Sequence, residues 1–473
     1  MQPQKSAGKK EKWYNKVPHT LIILFIMVVI AAVLSWIIPA GEFDTRMMNG
    51  RSVIDATTFH FVDRNPAGIF DIFTSIPAGL EGSAQIIFMI LLSSGTFALM
   101  NHTGAIDTFI GVMLRKIKRS KVNPEAVVFL VTFLFSCMGI VIGPEILIPF
   151  TAISVSIALG LGYDLVVGAA MVIVGGYIGF CMGPVCASTI GTADAISGLP
   201  LFSGAGLRSI AWIVVSLVAC VVVVSYAKKV RKNPLTSHTL GVDTTGLNLG
   251  DDLDNFTLDK NKRIVLVIFA LMFVAMIIGP IFFKWYLNQL MAVFIIAAIA
   301  VAIATKMKSK DAIDVFCHGA GEMFGVAMLV GMGRAIQVIL TDGKVLHTII
   351  YFLSKPISQF SPFLSSVIMS LVHTVINFLI PSGSGQAAAT MPIMFPLGQA
   401  VGITDQVNIF AFQIGDGFSN MLYPTVGALM AMLGIARVPY NAWVKFAIKI
   451  VLLMMVIGWV FLFIGVKINW GPF

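Results

Sequence analysis

The sequence has 473 residues, of which 57% are hydrophobic and only 12% are charged. Soluble domains usually carry about 25% charged residues, so this composition excludes an ordinary soluble protein. The net charge of +9 is spread over short clusters between apolar segments rather than over one basic surface, so we expect no nucleic-acid partner.

Apolar runs long enough to cross a membrane recur along the whole chain. A hydrocarbon core of about 30 Å requires roughly 20 apolar residues in a helix. The clearest runs are 20–39, 84–100, 206–227, 264–283 and 443–466. The sequence therefore predicts an all-α polytopic membrane protein with the lipid bilayer as its surroundings.

Basic residues mark the segments that we expect on the cytoplasmic side. They cluster at 5–16, 115–121, 228–232, 260–263 and 306–310. Cytoplasmic loops carry an excess of Lys and Arg, and this bias sets the orientation of the spans. We predict a multi-pass protein of the plasma (inner) membrane with a cytoplasmic N-terminus. Its domains are a cytoplasmic segment 1–19, a transmembrane half 20–227, a cytoplasmic linker 228–263 and a second transmembrane half 264–473.

The two transmembrane halves resemble one another at offsets between 239 and 243 residues. The matching pairs are 69–82 with 312–325, 103–114 with 342–353, 161–164 with 402–405, and Pro184 with Pro424. Duplicated membrane folds are typical of secondary transporters. Because the flanking charges orient the halves oppositely, we predict two inverted-topology repeats.

Gly and Pro interruptions predict a re-entrant helical hairpin in each half, at about 124–158 and about 362–400. In the first half, four full spans satisfy the flanking charges equally well. Irregular backbone at membrane depth is tolerated only where it packs in protein or lines a wet cavity, so we expect the hairpin tips to bind substrate. The candidates are Gly143 and Glu145 at the first tip, and Ser382, Gly383, Ser384 and Gly385 at the second.

A transmembrane helix interrupted in its middle follows each hairpin, at about 164–198 and about 406–434. Broken helices expose free carbonyl and N–H groups, which suit small cations and carboxylates respectively. The predicted substrate ligands here are Ser188, Thr189, Asn420 and Thr425, and the predicted ion ligands are Gly183, Asp194, Asp416 and Ser419. A Gly-Pro kink that serves packing alone is the alternative for either break.

The expected ligands are a small molecule and a coupling ion, Na+ or H+, with no other metal and no cofactor. The sequence lacks the GxxxxGK[ST], HExxH and GxSxG patterns, so we expect neither ATP-driven transport nor an enzyme. Arg334 remains open between pairing with a substrate carboxylate and pairing with another side chain of the protein.

Three segments, IPSGSGQAAATMPIM, GDGFSNMLYPT and GLGYD, resemble the YfcC-like branch of the C4-dicarboxylate anaerobic carrier family in the ion transporter superfamily. The resemblance implies a homodimer in which scaffold domains flank mobile transport domains that move like an elevator. It also implies substrate and ion binding at Ser382, Gly383, Ser384, Asp416, Ser419, Asn420 and Thr425. The first half departs from the branch, because it has a single Glu145 where paired glutamates are usual and Gly183-Pro184 where Asn-Pro is usual.

These features favour a secondary active transporter, a symporter or an exchanger, for small carboxylate-bearing metabolites. Some members of the branch resemble arginine/ornithine exchangers, and Glu145, Asp194 and Asp416 could neutralise a cationic side chain, so we favour basic amino acids. A C4-dicarboxylate transporter coupled to Na+ or H+, a passive channel and a membrane sensor without flux are the alternatives. The sequence leaves the substrate, the coupling ion and the direction of net flux open.

Overall fold

The computed structural model describes residues 20–48, 51–55, 57–120, 122–140, 143–247, 256–283, 285 and 287–471. The predicted cytoplasmic segment 1–19 therefore lies outside the described residues, as do parts of the linker and of the first predicted tip. Helices make up most of the described chain, as the apolar runs predict.

The helices of the first half follow one another with short connections. They are α1 (Thr20–Ile37), α2 (Ile69–Gly82), α3 (Ala84–His102), α4 (Ala105–Arg119), α5 (Pro124–Gly139), α6 (Pro144–Leu147), α7 (Phe150–Gly160), α8 (Leu165–Met182), α9 (Thr192–Ser197) and α10 (Ala205–Lys232). A π-helical turn, Ala187–Gly191, precedes α9, and a 3-10 turn, Pro234–Thr236, follows α10.

The helices of the second half begin after the linker. They are α11 (Lys260–Phe283), α12 (Leu287–Ala304), α13 (Ser309–Glu322), α14 (Phe324–Asp342), α15 (Leu346–Ser354), α16 (Pro362–Leu379), α17 (Gly383–Ala400), α18 (Asp405–Ser419), α19 (Gly427–Ile435) and α20 (Tyr440–Lys467). A 3-10 turn, Lys355–Gln359, joins α15 to the following segment.

Seven helices in the described part of the chain are long and apolar enough to cross a membrane, namely α3, α8, α10, α12, α14, α16 and α20. Every residue of α8 is buried, whereas fewer than half of the residues in the apolar windows of α10, α12 and α20 are. A helix that is apolar on all sides and enclosed by protein lies at the centre of a helical assembly. The molecule is thus an all-α polytopic membrane protein built around α8.

Helices of equal length recur in the two halves. Both α2 and α13 have 14 residues and begin 240 residues apart, and both α3 and α14 have 19 residues and begin 240 apart. Both α10 and α20 have 28 residues and begin 235 apart. The segments 69–82 and 312–325, which match in sequence, are 243 residues apart. This offset exceeds the spacing of the two helix starts by three residues. Each of these two helices has an acidic residue in its first turn, Asp71 in α2 and Asp311 in α13. The negative charge there complements the helix dipole and favours a helix start at this place.

Two features differ from the sequence-based outline. Helix α10 continues through the basic cluster 228–232 and ends at Lys232, so it extends into the segment that we predicted as the linker. Lys and Arg favour helix and complement the dipole in a last turn, which explains the extension. Four short strands between α1 and α2 were not predicted, and they pair as β1 (Gly41–Glu42) with β4 (His60–Phe61) and β2 (Thr45–Met48) with β3 (Arg51–Ile54).

Packing divides most helices into two groups. In one group, α3 packs against α12 and α13, and α14 packs against α1 and α2. In the other, α8 packs against α5, α7, α10 and α18, and α18 packs against α16, α17 and α20. The two groups meet closely where α14 contacts α19, since a side chain at Gly333 would lie 2.7 Å from the Thr425 carbonyl oxygen.

The described part of the linker is fastened to the second group. The Asp164 carboxylate, at the start of α8, accepts hydrogen bonds from the Tyr226 hydroxyl and the Ser237 hydroxyl, both at 2.7 Å. The Arg437 guanidinium, between α19 and α20, donates to the carbonyl oxygen of Thr245 at 2.8 Å. The linker thus contacts both the start of α8 and the turn between α19 and α20.

Candidate functional site

A cavity of about 480 Å³ lies where the two helix groups meet. Its wall combines residues 144–145 of the first tip, residues 381–384 of the second tip, the chain after α18, the turn between α2 and α3, and one face each of α8 and α14. Six predicted ligands line it: Glu145, Ser382, Gly383, Ser384, Asn420 and Thr425. The fold therefore brings together residues that lie far apart in the sequence.

The second tip is the start of helix α17. The Ser382 hydroxyl accepts a hydrogen bond from the Gly385 backbone N–H at 3.3 Å, which is the usual N-cap arrangement. The first N–H groups of any helix lack partners within the helix, so those of Gly383 and Ser384 are available to a ligand. A Cβ atom at Gly383 would lie 2.6 Å from the Thr189 methyl carbon, so this approach requires glycine.

At the first tip, Glu145 lies in the first turn of α6, directly after Pro144. Its carboxylate folds back over Gly143, where a side chain would meet the Glu145 Oε2 atom at 2.5 Å. No cation in the described part of the chain lies at ion-pair distance from Glu145. The first tip thus offers an uncompensated carboxylate to the cavity.

The second broken helix is organised by Asn377 of α16, which the sequence analysis did not identify. The Asn377 amide nitrogen lies 2.9 Å from the Asp416 carbonyl oxygen, 2.7 Å from the Ser419 hydroxyl and 2.9 Å from the Asn420 side-chain oxygen. Asn377 is fully buried. A lone asparagine in an apolar helix gives only a weak signal in the sequence, and only the fold reveals its partners.

Asp416 is fully buried, at 0% exposure, and neither of its carboxylate oxygens has a hydrogen-bond partner. Its Oδ2 atom lies 3.5 Å from the position that a Cβ atom would take at Gly383. Three other buried oxygens in this region also lack partners: Thr189 Oγ1, Asn377 Oδ1 and Thr425 Oγ1. Oxygen donors of this kind suit a hard cation or a proton.

A site of this composition does not match the usual transition-metal centres. The described residues contain no cluster of three or more His, Cys, Asp or Glu side chains placed to hold a metal ion. A Na+ ion would instead rely on hydroxyl, amide and carbonyl oxygens around one carboxylate. Ser419 fits this environment, because its hydroxyl donates to the Gly415 carbonyl oxygen at 2.6 Å and accepts from Asn377.

None of the four predicted ion ligands, Gly183, Asp194, Asp416 and Ser419, is among the residues of the cavity wall. The Asp194 carboxylate accepts a hydrogen bond from the Phe202 N–H at 2.7 Å, in a region that also contains Arg208. Arg208 is fully buried, donates to the Gln413 side-chain oxygen at 2.9 Å and lies over the Trp470 ring.

Gly183 ends α8, and a side chain there would meet the Ile140 Cα atom at 2.9 Å. Ser188 belongs to the π-helical turn before α9, and its side chain lies outside the described part of the chain. The first break therefore contributes Thr189 to the region of Asp416, while the Asp194 carboxylate lies in the region of Arg208.

Two charged residues outside the predicted set line the cavity. Glu81 lies in the last turn of α2, and Arg334 belongs to α14. The Arg334 guanidinium donates to the Gln337 side-chain oxygen at 2.5 Å, and no carboxylate of the described residues lies at ion-pair distance from it. Glu81 and Glu145 are likewise unpaired, so three uncompensated charges, two negative and one positive, face one cavity.

A family model for the C4-dicarboxylate anaerobic carriers matches residues 17–467, nearly the whole sequence. The chain belongs to this family. The predicted resemblance is thereby confirmed, and membership in a carrier family together with the apolar helices identifies a multi-pass membrane transport protein.

Two bacterial relatives cover almost the same length. The Escherichia coli protein named "Putative basic amino acid antiporter YfcC" is 30% identical, over 90% of this chain and 92% of its own. An uncharacterized protein of Haemophilus influenzae is 24% identical, over 98% of this chain and 99% of its own. The match to YfcC confirms the predicted branch of the family.

One solved structure, the YdaH transporter of Alcanivorax borkumensis, is similar at a TM-score of 0.43 and 14% identity. It covers 96% of this chain and 100% of its own. At this level of similarity it supports no conclusion about the site.

Proposed function

We propose that the protein is a secondary active transporter of small carboxylate-bearing metabolites, with basic amino acids such as arginine and ornithine as its substrates. The observation that carries the proposal is the trio of uncompensated charges, Glu81, Glu145 and Arg334, around one cavity. A basic amino acid carries two positive groups and one negative group, and this cavity presents the opposite set.

Helix ends at the cavity add a positive contribution. The N-termini of α3, α6, α12, α17 and α19 and the C-termini of α2 and α18 reach its wall. N-termini carry about +0.5 elementary charge and C-termini about −0.5, so the helix ends favour the carboxylate of a substrate, while the two glutamates favour its cationic groups. The name of the relative YfcC agrees with a cationic substrate.

A C4-dicarboxylate is the second candidate, and specific features favour it. The family is named for carriers of these molecules. Arg334 and the free N–H groups at the start of α17 are groups that bind carboxylates. A dicarboxylate would, however, face two unpaired glutamates unless these were protonated or occupied by cations.

For the transport cycle we propose an elevator-type movement in a homodimer, as the family resemblance implies. The equal lengths of α2 and α13, α3 and α14, and α10 and α20 support the inverted repeat. The position of the cavity between two helix groups is compatible with one group moving past the other. Light scattering on the purified protein tests the dimer, and a protein mass of a single 51.0 kDa chain would contradict it.

The coupling ion, Na+ or H+, would bind at Asp416. Its two unpartnered oxygens and the nearby unpartnered oxygens of Thr189 and Asn377 support this assignment. We further propose that the protein resides in the plasma (inner) membrane with its N-terminus in the cytoplasm. Accessibility of a tag on that terminus in intact cells tests the orientation.

A ligand screen on the purified protein tests the substrate class. Any ligand that binds only the folded state raises the unfolding temperature by mass action. We expect arginine and ornithine to raise it, and Na+ to strengthen the effect if Na+ is the coupling ion. Stabilisation by C4-dicarboxylates alone would overturn the choice of basic amino acids.

A further inference from the structure

We propose that Arg334 of α14 binds the α-carboxylate of the substrate, so that a helix outside both hairpins determines carboxylate specificity. This inference rests on the proposed function and deepens it. It divides the substrate between charged groups of one cavity, with Arg334 binding the α-carboxylate and the glutamates Glu81 and Glu145 facing the cationic groups.

The surroundings of the Arg334 guanidinium leave most of its donors available. Arg334 is partly buried and lies against the turn after α2, where a Cβ atom at Gly82 would be 3.5 Å from the Arg334 Nε atom. Gln337, one helical turn further along α14, accepts a hydrogen bond from Nη1. A guanidinium has five N–H donors in a rigid fork, so most of them remain for a ligand.

The charge of Arg334 is not balanced within the described part of the protein. A partly buried guanidinium without a carboxylate partner is costly, because desolvation is not offset by an ion pair. Both glutamates of the cavity lie beyond ion-pair distance from Arg334. The fork matches a carboxylate with two parallel hydrogen bonds, so a ligand carboxylate completes the pair that the protein does not supply.

Two other roles for Arg334 make different predictions. A purely structural arginine would lower the affinity for every ligand equally when it is replaced, because the cavity itself would change. An arginine that repels cations would, on replacement, increase the affinity for a cation without a carboxylate. An arginine that binds the carboxylate affects only ligands that possess one.

The test compares arginine with agmatine, which keeps the guanidinium side chain and lacks the α-carboxylate. Binding of each to purified full-length protein is measured by titration calorimetry for the wild type, Arg334→Gln and Arg334→Lys. Arg437→Gln is the matched control, since it removes the same charge from a site that binds linker carbonyls outside this cavity. Thermal unfolding and size-exclusion profiles verify that each variant is folded.

We expect Arg334→Gln to weaken arginine binding by about tenfold to a hundredfold and to leave agmatine binding unchanged. Arg334→Lys should restore part of the arginine affinity, because it keeps the charge and loses the fork. Unchanged arginine affinity in Arg334→Gln, equal loss of both ligands, or a gain for agmatine would each overturn the assignment. If wild-type protein binds neither ligand, the proposed function fails first, and the role of Arg334 in amino-acid binding falls with it.

Discussion

Asp416 is the residue whose environment most clearly calls for a functional explanation. A fully buried carboxylate without partners destabilises a folded protein, and such groups persist chiefly where function requires them. In this chain the carboxylate lies behind the second tip, close to the start of α17. Its position fits an ion site that is linked to substrate binding.

Replacing Asp416 with Asn should separate function from stability. The change preserves shape and removes the buried charge, so we expect an unchanged or higher unfolding temperature together with loss of substrate accumulation. Uptake into proteoliposomes and thermal unfolding are the two measurements. Asp63→Asn, at an exposed aspartate between β4 and α2, is the control for the charge. Normal accumulation in Asp416→Asn would remove Asp416 from the ion site.

Two serines of the second tip have different physical roles despite their proximity. Ser382→Ala removes the N-cap of α17, and we expect it to lower stability by about 1 kcal/mol.

Ser384 is exposed to the cavity and makes no hydrogen bond among the described residues, so Ser384→Ala should leave stability unchanged. If Ser384 binds substrate, Ser384→Ala should weaken binding by up to about tenfold. Unfolding of each variant measures its stability, and titration with substrate measures its binding. Unaltered binding in Ser384→Ala would exclude that serine from the site.

At the scale of elements, the two broken helices α8 and α18 cross in close contact. A Cβ atom at Gly417 would lie only 1.7 Å from the Cys181 Cβ atom, with Cys181 backbone 2.9 Å away. Flexible side-chain movement cannot relieve such an overlap. The crossing therefore depends on a glycine in α18 at this position.

Gly417→Ala should accordingly destabilise the protein by roughly 1–3 kcal/mol or more, because it forces the helices apart. The matched control is Gly206→Ala in α10, where a Cβ atom meets nothing within 4 Å. That change should be neutral or stabilising by up to about 1 kcal/mol, since Ala favours helix over Gly. Equal midpoints of thermal unfolding in the two variants would contradict the described crossing.

The sequence predicts the helices well where long apolar runs set them. Gly183-Pro184 locates the C-terminal end of α8, and Pro381 locates the start of α17. The short strands β1 to β4 escape prediction, because their residues show no clear alternation and they pair only locally. The end of α10 was missed for a different reason. Basic residues mark a cytoplasmic position, but they do not end a helix.

At the scale of the whole molecule, the site depends on contacts that no local pattern contains. The sequence identifies both tips and the second break, since each carries its own glycine, proline and polar residues. It does not show that Glu81 of α2 and Arg334 of α14 reach the same cavity, because this depends on how the two helix groups pack. Asp194 illustrates the converse, as an acidic residue after a helix break that lies beside the buried Arg208 rather than at the cavity.

We propose that one cavity with two glutamates and one arginine carries basic amino acids across the membrane. Counterflow in proteoliposomes preloaded with unlabelled arginine or ornithine tests it most directly. A carrier for these molecules accumulates labelled arginine transiently above the external concentration, and we predict this result. Equilibration without accumulation would indicate a channel, and accumulation driven only by a preloaded C4-dicarboxylate would contradict the proposed substrate.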